Sequence, residues 1–273
     1  MNRLASFTLA ATLCTSLAAC TTSPTGRSQL ALFSQDEVNQ MGEQSFAQYQ
    51  QDLPVVQGQA ADYVTCVANA VTAQVPADAD TGAGQWEVKV FKDDEANAFA
   101  LPGGHIGVNT GLLEVAKNQD QLAAVLGHEV SHVLAHHANE RVSTQSITQT
   151  GLSVLQSAAG LSSAGGQQLM GLLGAGAQYG VILPFSRRQE SEADLLGLDL
   201  MAKAGFDPEA SIALWQNMSA NSEGEPPVWA STHPSNGQRT DALQNHMSQA
   251  EQYYQQARQA GRSPNCDRLR PSS

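Results

Sequence analysis

Apolar residues recur at three- and four-residue steps through residues 119–141, a segment that contains no proline. This spacing matches the 3.6-residue period of a helix, so it predicts a helix there. A Ser-x-x-Glu capping box at Ser34 predicts a second helix that runs to about residue 50. Apolar spacing predicts further helices over about 57–75 and about 235–260. Another helix is predicted to begin at Glu190 and to end at Gly205, which acts as its C-terminal cap.

Strand signals are confined to a short part of the chain. Residues 86–91 alternate between apolar and polar side chains, and two more short strands are predicted on either side of Pro102-Gly103-Gly104. Together with the helices, this pattern predicts an α+β fold that is mainly helical.

Residues 144–183 are rich in Gly, Ser and Ala, with Leu and Met at helical spacing. No run there reaches the apolar length that a membrane span requires. The composition is compatible with small-residue helices that pack closely or with a mobile lid over a cleft. We favour packed helices with a flexible hinge.

The predicted helix 119–141 contains an H-E-x-x-H motif, His128-Glu129-Val130-Ser131-His132. On a helix the two histidines lie about 6 Å apart along one face, where each can give one ring nitrogen to a Zn²⁺ ion. Glu129 is then placed to polarise a water molecule and to act as general base. The alternative is a chance pairing of histidines, since about one random sequence in a hundred of this composition contains the motif.

A catalytic zinc takes three protein ligands and keeps one position open, so another ligand must come from elsewhere. Residues 133–137 lack the glycine and the histidine spacing of the metzincins. Glu190 and Asp194 lie four residues apart on one face of a predicted helix, while Glu192 points away. We assign Glu190 as the third ligand and Asp194 to orient a ligand histidine through its other ring N–H. The alternative is a solvated acidic face.

Four segments resemble a known family: Asn97 to Leu113, the H-E-V-S-H motif, Glu190 to Asp194, and Thr232-His233-Pro234 with Arg239. They are similar to the gluzincin peptidases related to HtpX, which include the CAAX-prenyl endopeptidases and the periplasmic proteases BepA and LoiP. The resemblance covers roughly residues 30–250. It implies a gluzincin zinc-endopeptidase domain with a small β-sheet beside the H-E-x-x-H helix, one Zn²⁺ per chain and Glu190 as the third ligand.

The resemblance also draws attention to His233 and Arg239. His233 would hydrogen-bond the tetrahedral oxyanion, occupy the open zinc position as an autoinhibitory latch, or only pack; the family spacing favours a place at the metal site. Arg239 would fix this loop or stabilise negative charge near the metal. The remaining histidines are predicted to be surface or structural residues, with His137 serving helix packing: His105, His136, His137 and His246.

The strand before the Pro-Gly-Gly turn has a functional interpretation. An exposed edge strand beside a zinc helix can take an extended substrate by β-addition and align one peptide carbonyl with the metal. The residues predicted to form that substrate-binding edge are Asn97, Ala98, Phe99, Ala100 and Leu101. The alternative is a purely structural hairpin.

The N-terminus predicts export. Residues 1–19 carry one positive charge and a short apolar stretch, and they lead through Leu17-Ala18-Ala19 to Cys20, as in a lipoprotein signal peptide with a lipobox. Cys20 would carry acyl chains that hold the protein on a membrane. Residues 20–33 are then a lipidated tether and residues 34–273 the metallopeptidase domain. Thr21 favours the periplasmic face of the outer membrane. An ordinary secretory signal is the alternative.

Two further cysteines, Cys66 and Cys266, remain after the signal and the lipidated position are set aside. An even pair in an exported protein suggests a disulfide between the early helix and the C-terminal tail. Two buried free thiols are the alternative.

These observations predict a zinc endopeptidase, and the family resemblance implies that its substrates are misfolded or stalled envelope proteins. A zinc-containing, chaperone-like lipoprotein with latent or self-inhibited proteolysis is the first alternative, and a zinc hydrolase with non-peptide substrates is the second. The formal net charge of −12 repels phosphate backbones and argues against nucleic-acid partners. No residue pattern specifies an oligomer.

Overall fold

The computed structural model describes residues 20–158, 185–220, 233 and 237–271. The structure does not describe the predicted signal segment 1–19, residues 159–184, or the residues on either side of His233. Within them the chain forms eight α-helices: α1 (Gln35–Asp52), α2 (Gln59–Thr72), α3 (Leu112–Val115), α4 (Gln119–Leu134), α5 (His137–Ala158), α6 (Arg187–Ala204), α7 (Ala210–Ala220) and α8 (Gly237–Gln259).

Six short strands complete the described fold: β1 (Cys20–Thr22), β2 (Ser28–Leu30), β3 (Val55–Val56), β4 (Glu87–Phe91), β5 (Ala98–Leu101) and β6 (His105–Asn109). Strands β1 and β2 form an antiparallel N-terminal hairpin, Cys20–Leu30. The other four form one sheet in the order β3-β4-β6-β5. The predicted α+β class, mainly helical with a small sheet, is confirmed.

The four-stranded sheet mixes parallel and antiparallel pairs. Strand β4 runs parallel to β6, and β5 runs antiparallel to β6. The connection from β5 to β6 passes through Gly103 and Gly104, which have φ angles of 88° and 87°. Glycine adopts this left-handed conformation without a Cβ clash, so the predicted Pro-Gly-Gly turn closes the hairpin tightly. Strand β5 is last in the strand order and so lies at an edge of the sheet, and it also packs against α4.

Helix α4 forms the centre of the core. Its apolar side chains are buried, and so are its polar residues Gln121, His128, Glu129, Ser131 and His132. A helix buried all round needs partners on every side. Here α2, α6, α7 and strand β5 surround it.

The sequence predicted one helix through residue 141, and that prediction is wrong at its C-terminal end. Helix α4 ends at Leu134, and α5 begins at His137. His136 between them has φ 53°, a left-handed conformation that ends a helix and redirects the chain. This break turns α5 away from α4 and leaves the His137 side chain fully buried beside the motif.

Helices α4 and α6 approach closely at two glycines. A Cβ atom on Gly127 would lie 2.7 Å from the carbonyl oxygen of Gly197, and a Cβ on Gly197 would lie 2.7 Å from the backbone nitrogen of His128. Both distances are below normal van der Waals contact, so glycine at both positions permits this crossing. The crossing brings the first turns of α6 against the motif.

None of the helices in the described part of the chain is long and apolar enough to cross a bilayer. Residues 144–158 of the stretch rich in Gly, Ser and Ala belong to α5. The question of a lid concerns residues 159–183, which fall in the part that the structure does not describe.

Candidate active site

Four buried side chains from three parts of the chain converge at one point. His128 and His132 come from α4, Glu190 from the first turn of α6, and His233 from the segment before α8. One ligand atom from each lies within 4.8 Å of those of the others. The structure therefore brings together the three ligands predicted from the sequence, with His233 as a fourth member.

The distances within this group are short. The Nε2 atoms of His128 and His132 are 3.1 Å apart, and His128 Nε2 lies 3.1 Å from His233 Nδ1. Glu190 Oε1 lies 3.0 Å from His233 Nδ1 and 3.6 Å from His132 Nε2. Its other oxygen, Oε2, is 3.5 Å from His128 Nε2.

The donor set suits zinc. Imidazole nitrogens together with one carboxylate oxygen are the ligands of catalytic zinc in a two-histidine, one-glutamate site. These ring nitrogens converge on the anionic carboxylate of Glu190, an arrangement that a divalent cation can bind. The residues present therefore fit the metal that the motif predicts.

At pH 7 the charge states of two of these residues, Glu190 and His132, suit cation binding. Burial is the largest influence on the pKa of Glu190 and raises it, but hydrogen bonds from His128 and His233 outweigh burial and hold this pKa well below its usual value. Burial lowers the pKa of His132 strongly, and His128 adds to the effect. Glu190 is thus anionic and His132 neutral at pH 7, which are the forms that bind metal.

His128 differs from His132 in its electrostatic surroundings. Burial alone would lower the pKa of His128, but Asp194 and Glu190 overcome it and raise this pKa to about 9. His128 Nδ1 lies 3.1 Å from Asp194 Oδ1, on the side of the ring opposite to Nε2. Asp194 therefore lies at the position predicted from the sequence. It can fix the ring of His128, whose other nitrogen faces the ligand group.

Arg239 of α8 links the carboxylates of α6. Its Nε and Nη2 atoms donate to Asp194 Oδ2 and Oδ1 at 2.6 and 2.7 Å, a bidentate pair. Nη1 lies 2.8 Å from Glu190 Oε2 and donates to the backbone carbonyl of His233 at 3.1 Å. The guanidinium also lies 4.4 Å from the ring centroid of Trp215. Arg239 thus fixes the His233 backbone, as one of the two roles predicted for it requires.

Glu129 lies on the opposite side of His233. Its Oε1 atom is 3.5 Å from His233 Nε2, while Nδ1 of the same ring faces the ligand group. Glu129 is only 3% exposed. A buried carboxylate next to the ligand group, but outside it, has the position of the general base that the motif predicts.

The far side of His132 contacts residues that the sequence analysis did not place at the site. His132 Nδ1 lies 2.8 Å from His137 Nδ1, and His137 Nε2 lies 3.1 Å from Glu192 Oε2. The ring of Phe185 stacks on His132 at a centroid distance of 3.9 Å. Glu192 was expected to point away from the site and His137 only to pack, and the structure differs on both residues.

The physical reason lies in the α4–α5 break. A continuous helix would have carried His137 away from His132, whereas the turn at His136 brings it back against the ring. Glu192 lies two residues from Glu190 on a helix that the structure buries on more than one face, so it faces protein although it does not share the face of Glu190. Burial lowers the pKa of His137, so His137 is neutral at pH 7.

The other residues to which the sequence analysis gave a role lie outside the ligand group. The substrate-strand residues Asn97 to Leu101 include β5 at the sheet edge; within the described chain β5 pairs only with β6. His105 packs on Phe46, 4.9 Å between ring centroids, and His246 pairs with Asp199 at 2.8 Å. The structure joins Cys66 and Cys266 in a disulfide.

The fold and this site define a metallopeptidase of the gluzincin type, in which a helix supplies H-E-x-x-H and a later helix supplies a glutamate. The chain belongs to peptidase family M48, whose model matches residues 59–247. Metallopeptidases of this family use zinc.

Several relatives of known name are similar to the chain. It is 40% identical over 170 residues to the mitochondrial metalloendopeptidase OMA1 of Schizosaccharomyces pombe, an alignment covering 61% of this chain and 48% of that protein. It is 30% identical over 232 residues to the β-barrel assembly-enhancing protease of Yersinia pestis, covering 82% of this chain and 46% of that one. For the protease of the same name from Escherichia coli, the identity is 34% over 152 residues, covering 53% and 31%. The chain thus spans at most about half the length of these relatives.

Proposed function

We propose that this protein is a zinc-dependent endopeptidase of the bacterial periplasm that cleaves misfolded or stalled envelope proteins. The observation that carries the proposal is the convergence of His128, His132 and Glu190 on one point, with Glu129 beside it. Membership of peptidase family M48 supports peptide bonds as the substrate class. The similarity to β-barrel assembly-enhancing proteases supports envelope proteins as the substrates.

His128, His132 and Glu190 would hold the metal. When bound there, zinc supplies a Lewis acid that polarises the scissile carbonyl and lowers the pKa of water towards neutrality. Asp194 and His137 hold the two histidine rings from behind, so that Nε2 of each faces the ligand group. This pre-organisation keeps the ligand nitrogens in place before a metal or a substrate arrives.

Glu129 performs the proton transfers. Its buried carboxylate accepts a proton from the attacking water at a side-chain oxygen and later gives a proton to the amine that leaves. Burial excludes competing bulk water, and the short distance to His233 gives the carboxylate a polar neighbour. Arg239 adds positive charge on the Glu190 side of the site.

Strand β5 would bind the substrate. It lies at the sheet edge and packs on α4, so an extended peptide added along that edge runs beside the helix that carries the motif. Backbone hydrogen bonds of this kind bind many sequences because they do not depend on side chains. Such binding suits a protease whose substrates share unfolded backbone instead of a sequence motif.

Membrane attachment through Cys20 is the second part of the proposal. The lipobox-like sequence before Cys20 supports it, and Cys20 is the first residue of the N-terminal hairpin. The relatives include both bacterial and mitochondrial proteins, so they do not favour one location. The proposed location is therefore based on this N-terminal sequence. Growth with radiolabelled palmitate should label the wild-type chain and not Cys20→Ser. Equal labelling of the two chains would contradict lipidation at this residue.

A self-inhibited form of the enzyme is the second candidate, and one observation favours it. His233 Nδ1 lies among the ligand atoms, 3.1 Å from His128 Nε2, where a fourth ligand would close the site. Structural zinc sites have four protein ligands, whereas catalytic sites keep a position open. The conformation described here therefore fits a latent enzyme whose His233 withdraws before catalysis.

Replacement of Glu129 tests the function directly. Purified Glu129→Gln should retain zinc and lose casein-cleaving activity by roughly 10²- to 10⁴-fold, because the amide cannot accept the proton. Glu114→Gln is a matched control, since Glu114 is exposed on α3. Cleavage by Glu129→Gln at the wild-type rate would exclude Glu129 as the base. Zinc-loaded wild type that cleaves no unfolded protein would favour the latent or chaperone-like alternative.

A further inference from the structure

We propose that the N-terminal hairpin is a positioning element of the zinc site, in which Arg27 fixes the ring of His132 through Glu192 and His137. We refer to Arg27, Glu192, His137 and His132 as the His132 relay. The inference rests on the proposed function only in taking His132 as a metal ligand. It assigns a role in the site to a segment that the sequence presents as a tether.

Arg27 forms the outer end of the relay. Its Nε atom donates to Glu192 Oε2 at 2.9 Å. Its Nη1 and Nη2 atoms donate to Glu140 Oε1 and Oε2 at 2.6 and 2.8 Å. One guanidinium thus holds a carboxylate from α6 and another from α5, and its planar geometry fixes the angle between them.

Glu192 is the next member. Its side chain is only 4% exposed. Besides Arg27, it accepts a hydrogen bond from the Thr25 hydroxyl, and His137 Nε2 lies 3.1 Å from its Oε2 atom. A buried carboxylate needs such partners to remain charged. Thr25 and Arg27 both belong to the N-terminal hairpin, so the hairpin determines where this carboxylate is held.

His137 and His132 complete the relay, and the proton positions follow from one requirement. If His132 Nε2 binds a metal, its proton must be on Nδ1, which then donates to His137 Nδ1 at 2.8 Å. His137 must then carry its own proton on Nε2, where it donates to Glu192. Every donor in the relay therefore meets an acceptor, and the anionic end is stabilised by Arg27.

Strand β2 of the hairpin packs against α5, and the residues that follow the hairpin are hydrogen-bonded to the same helix. The backbone nitrogen of Leu32 donates to Ser143 Oγ at 2.8 Å. The Asn139 side chain donates to the carbonyl of Phe33 at 2.7 Å. Glu140, which binds Arg27, lies on the same helix. These contacts therefore help to place Arg27 on the Nδ1 side of His132. Movement of the hairpin would therefore move Glu192 and release the ring.

The alternative is that Arg27 only stabilises the fold through its ion pairs. The two possibilities differ in what depends on Arg27. A purely structural arginine changes the free energy of unfolding of the metal-free chain, whereas a positioning arginine changes the zinc affinity of the folded chain. Loss of a partner behind a metal-binding histidine lowers metal affinity about 10- to 100-fold.

The experiment measures zinc affinity of the purified, metal-free chain by competition with a chromogenic chelator. Arg27→Ala and Glu192→Gln should each bind zinc about 10- to 100-fold more weakly than wild type. Their combination should lose no more than the larger single loss, because both act through one ring. Arg27→Lys should recover part of the affinity. The matched control is Arg262→Ala, which removes a guanidinium that donates to the Lys203 carbonyl at 2.8 Å.

Urea unfolding of each metal-free variant verifies that the compared chains are folded. If Arg27→Ala does not fold, Thr25→Val removes one donor to Glu192 and should still weaken zinc binding. Wild-type zinc affinity in the folded variants, or additive losses in the double variant, would overturn the inference. Failure of the proposed function looks different: the wild type would then bind zinc without cleaving protein, or would bind no zinc at all.

Discussion

At the scale of single residues, His233 links the two chemical parts of the site. Nδ1 of its ring lies 3.0 Å from Glu190 among the ligands, and Nε2 lies 3.5 Å from the carboxylate of Glu129. One side chain therefore lies among the ligand atoms and also close to the carboxylate predicted to act as the base. Arg239 holds the His233 backbone from behind, so the loop and the carboxylates of α6 are coupled.

We predict that His233→Ala raises the rate of casein cleavage, because it opens the fourth position at the metal. If the closed form holds about nine tenths of the molecules, the increase is about tenfold. The same variant should bind zinc more weakly, since one neighbour of the ligand group is lost. Initial rates at saturating zinc measure the first effect.

His246→Ala is the matched control, because His246 pairs with Asp199 away from the ligand group. An unchanged rate in His233→Ala would show that this side chain only packs. A lower rate would assign it to the stabilisation of the oxyanion and exclude the latch.

At the scale of secondary structure, the crossing of α4 and α6 sets the distance between the histidines and Glu190. Glycine in the middle of a helix normally costs up to about 1 kcal/mol relative to alanine. Gly127 and Gly197 are retained here where a Cβ would lie 2.7 Å from the facing backbone. The cost in helix propensity is offset by close packing that places the carboxylate at the motif.

We predict that Gly127→Ala lowers the free energy of unfolding by about 1–3 kcal/mol, because the added methyl group forces the helices apart. It should also weaken zinc binding, since Glu190 moves with α6. Urea unfolding of the metal-free chain and a zinc titration measure the two effects. Gly84→Ala serves as a control, as nothing lies within 4 Å of a Cβ there. A stabilised Gly127→Ala, the usual result inside a helix, would contradict this account.

Local patterns predicted most elements but not the contacts between distant ones. Helical periodicity located α4, and the glycine cap at Gly205, with φ 92°, ends the α6 region as expected. The end of α4 was missed because nothing in the periodicity of apolar residues marks His136 as left-handed. The polar N-terminal hairpin and the short strand β3 were missed because their pairing partners, not their own residues, determine them.

The same distinction applies to the site. H-E-x-x-H is a local motif, so its helix and its two histidines could be predicted from spacing alone. Glu190 needed the additional requirement for a third ligand. The contact between His137 and Glu192 depends on a chain reversal and on a helix crossing, and Arg27 depends on a hairpin that is far away in sequence. No local pattern encodes these contacts.

At the scale of the whole molecule, a disulfide connects the C-terminal segment to the core. Cys66 of α2 is bonded to Cys266, which is fully buried. The next residue, Asp267, accepts a hydrogen bond at 2.8 Å from the backbone nitrogen of Gln119, the first residue of α4. The disulfide thus holds a segment that caps the helix of the motif.

We predict that the double variant Cys66→Ser/Cys266→Ser has a free energy of unfolding about 2–5 kcal/mol lower than wild type. The bond spans a sequence separation of 200 residues, and closing so long a loop restricts the unfolded chain. Urea unfolding measures the difference. A reducing agent should destabilise the wild type to the same extent and leave the variant unaffected. Equal stability of oxidised wild type and variant would show that the bond does not contribute.

The most direct test of the central claim is the zinc content of the purified chain by mass spectrometry. We predict about one zinc ion per wild-type chain and per His246→Ala chain, and little or none in His128→Ala and in Glu190→Ala, because each removes a ligand. A wild-type chain that takes up no zinc would contradict the account. Full zinc occupancy without His128 or Glu190 would contradict it equally.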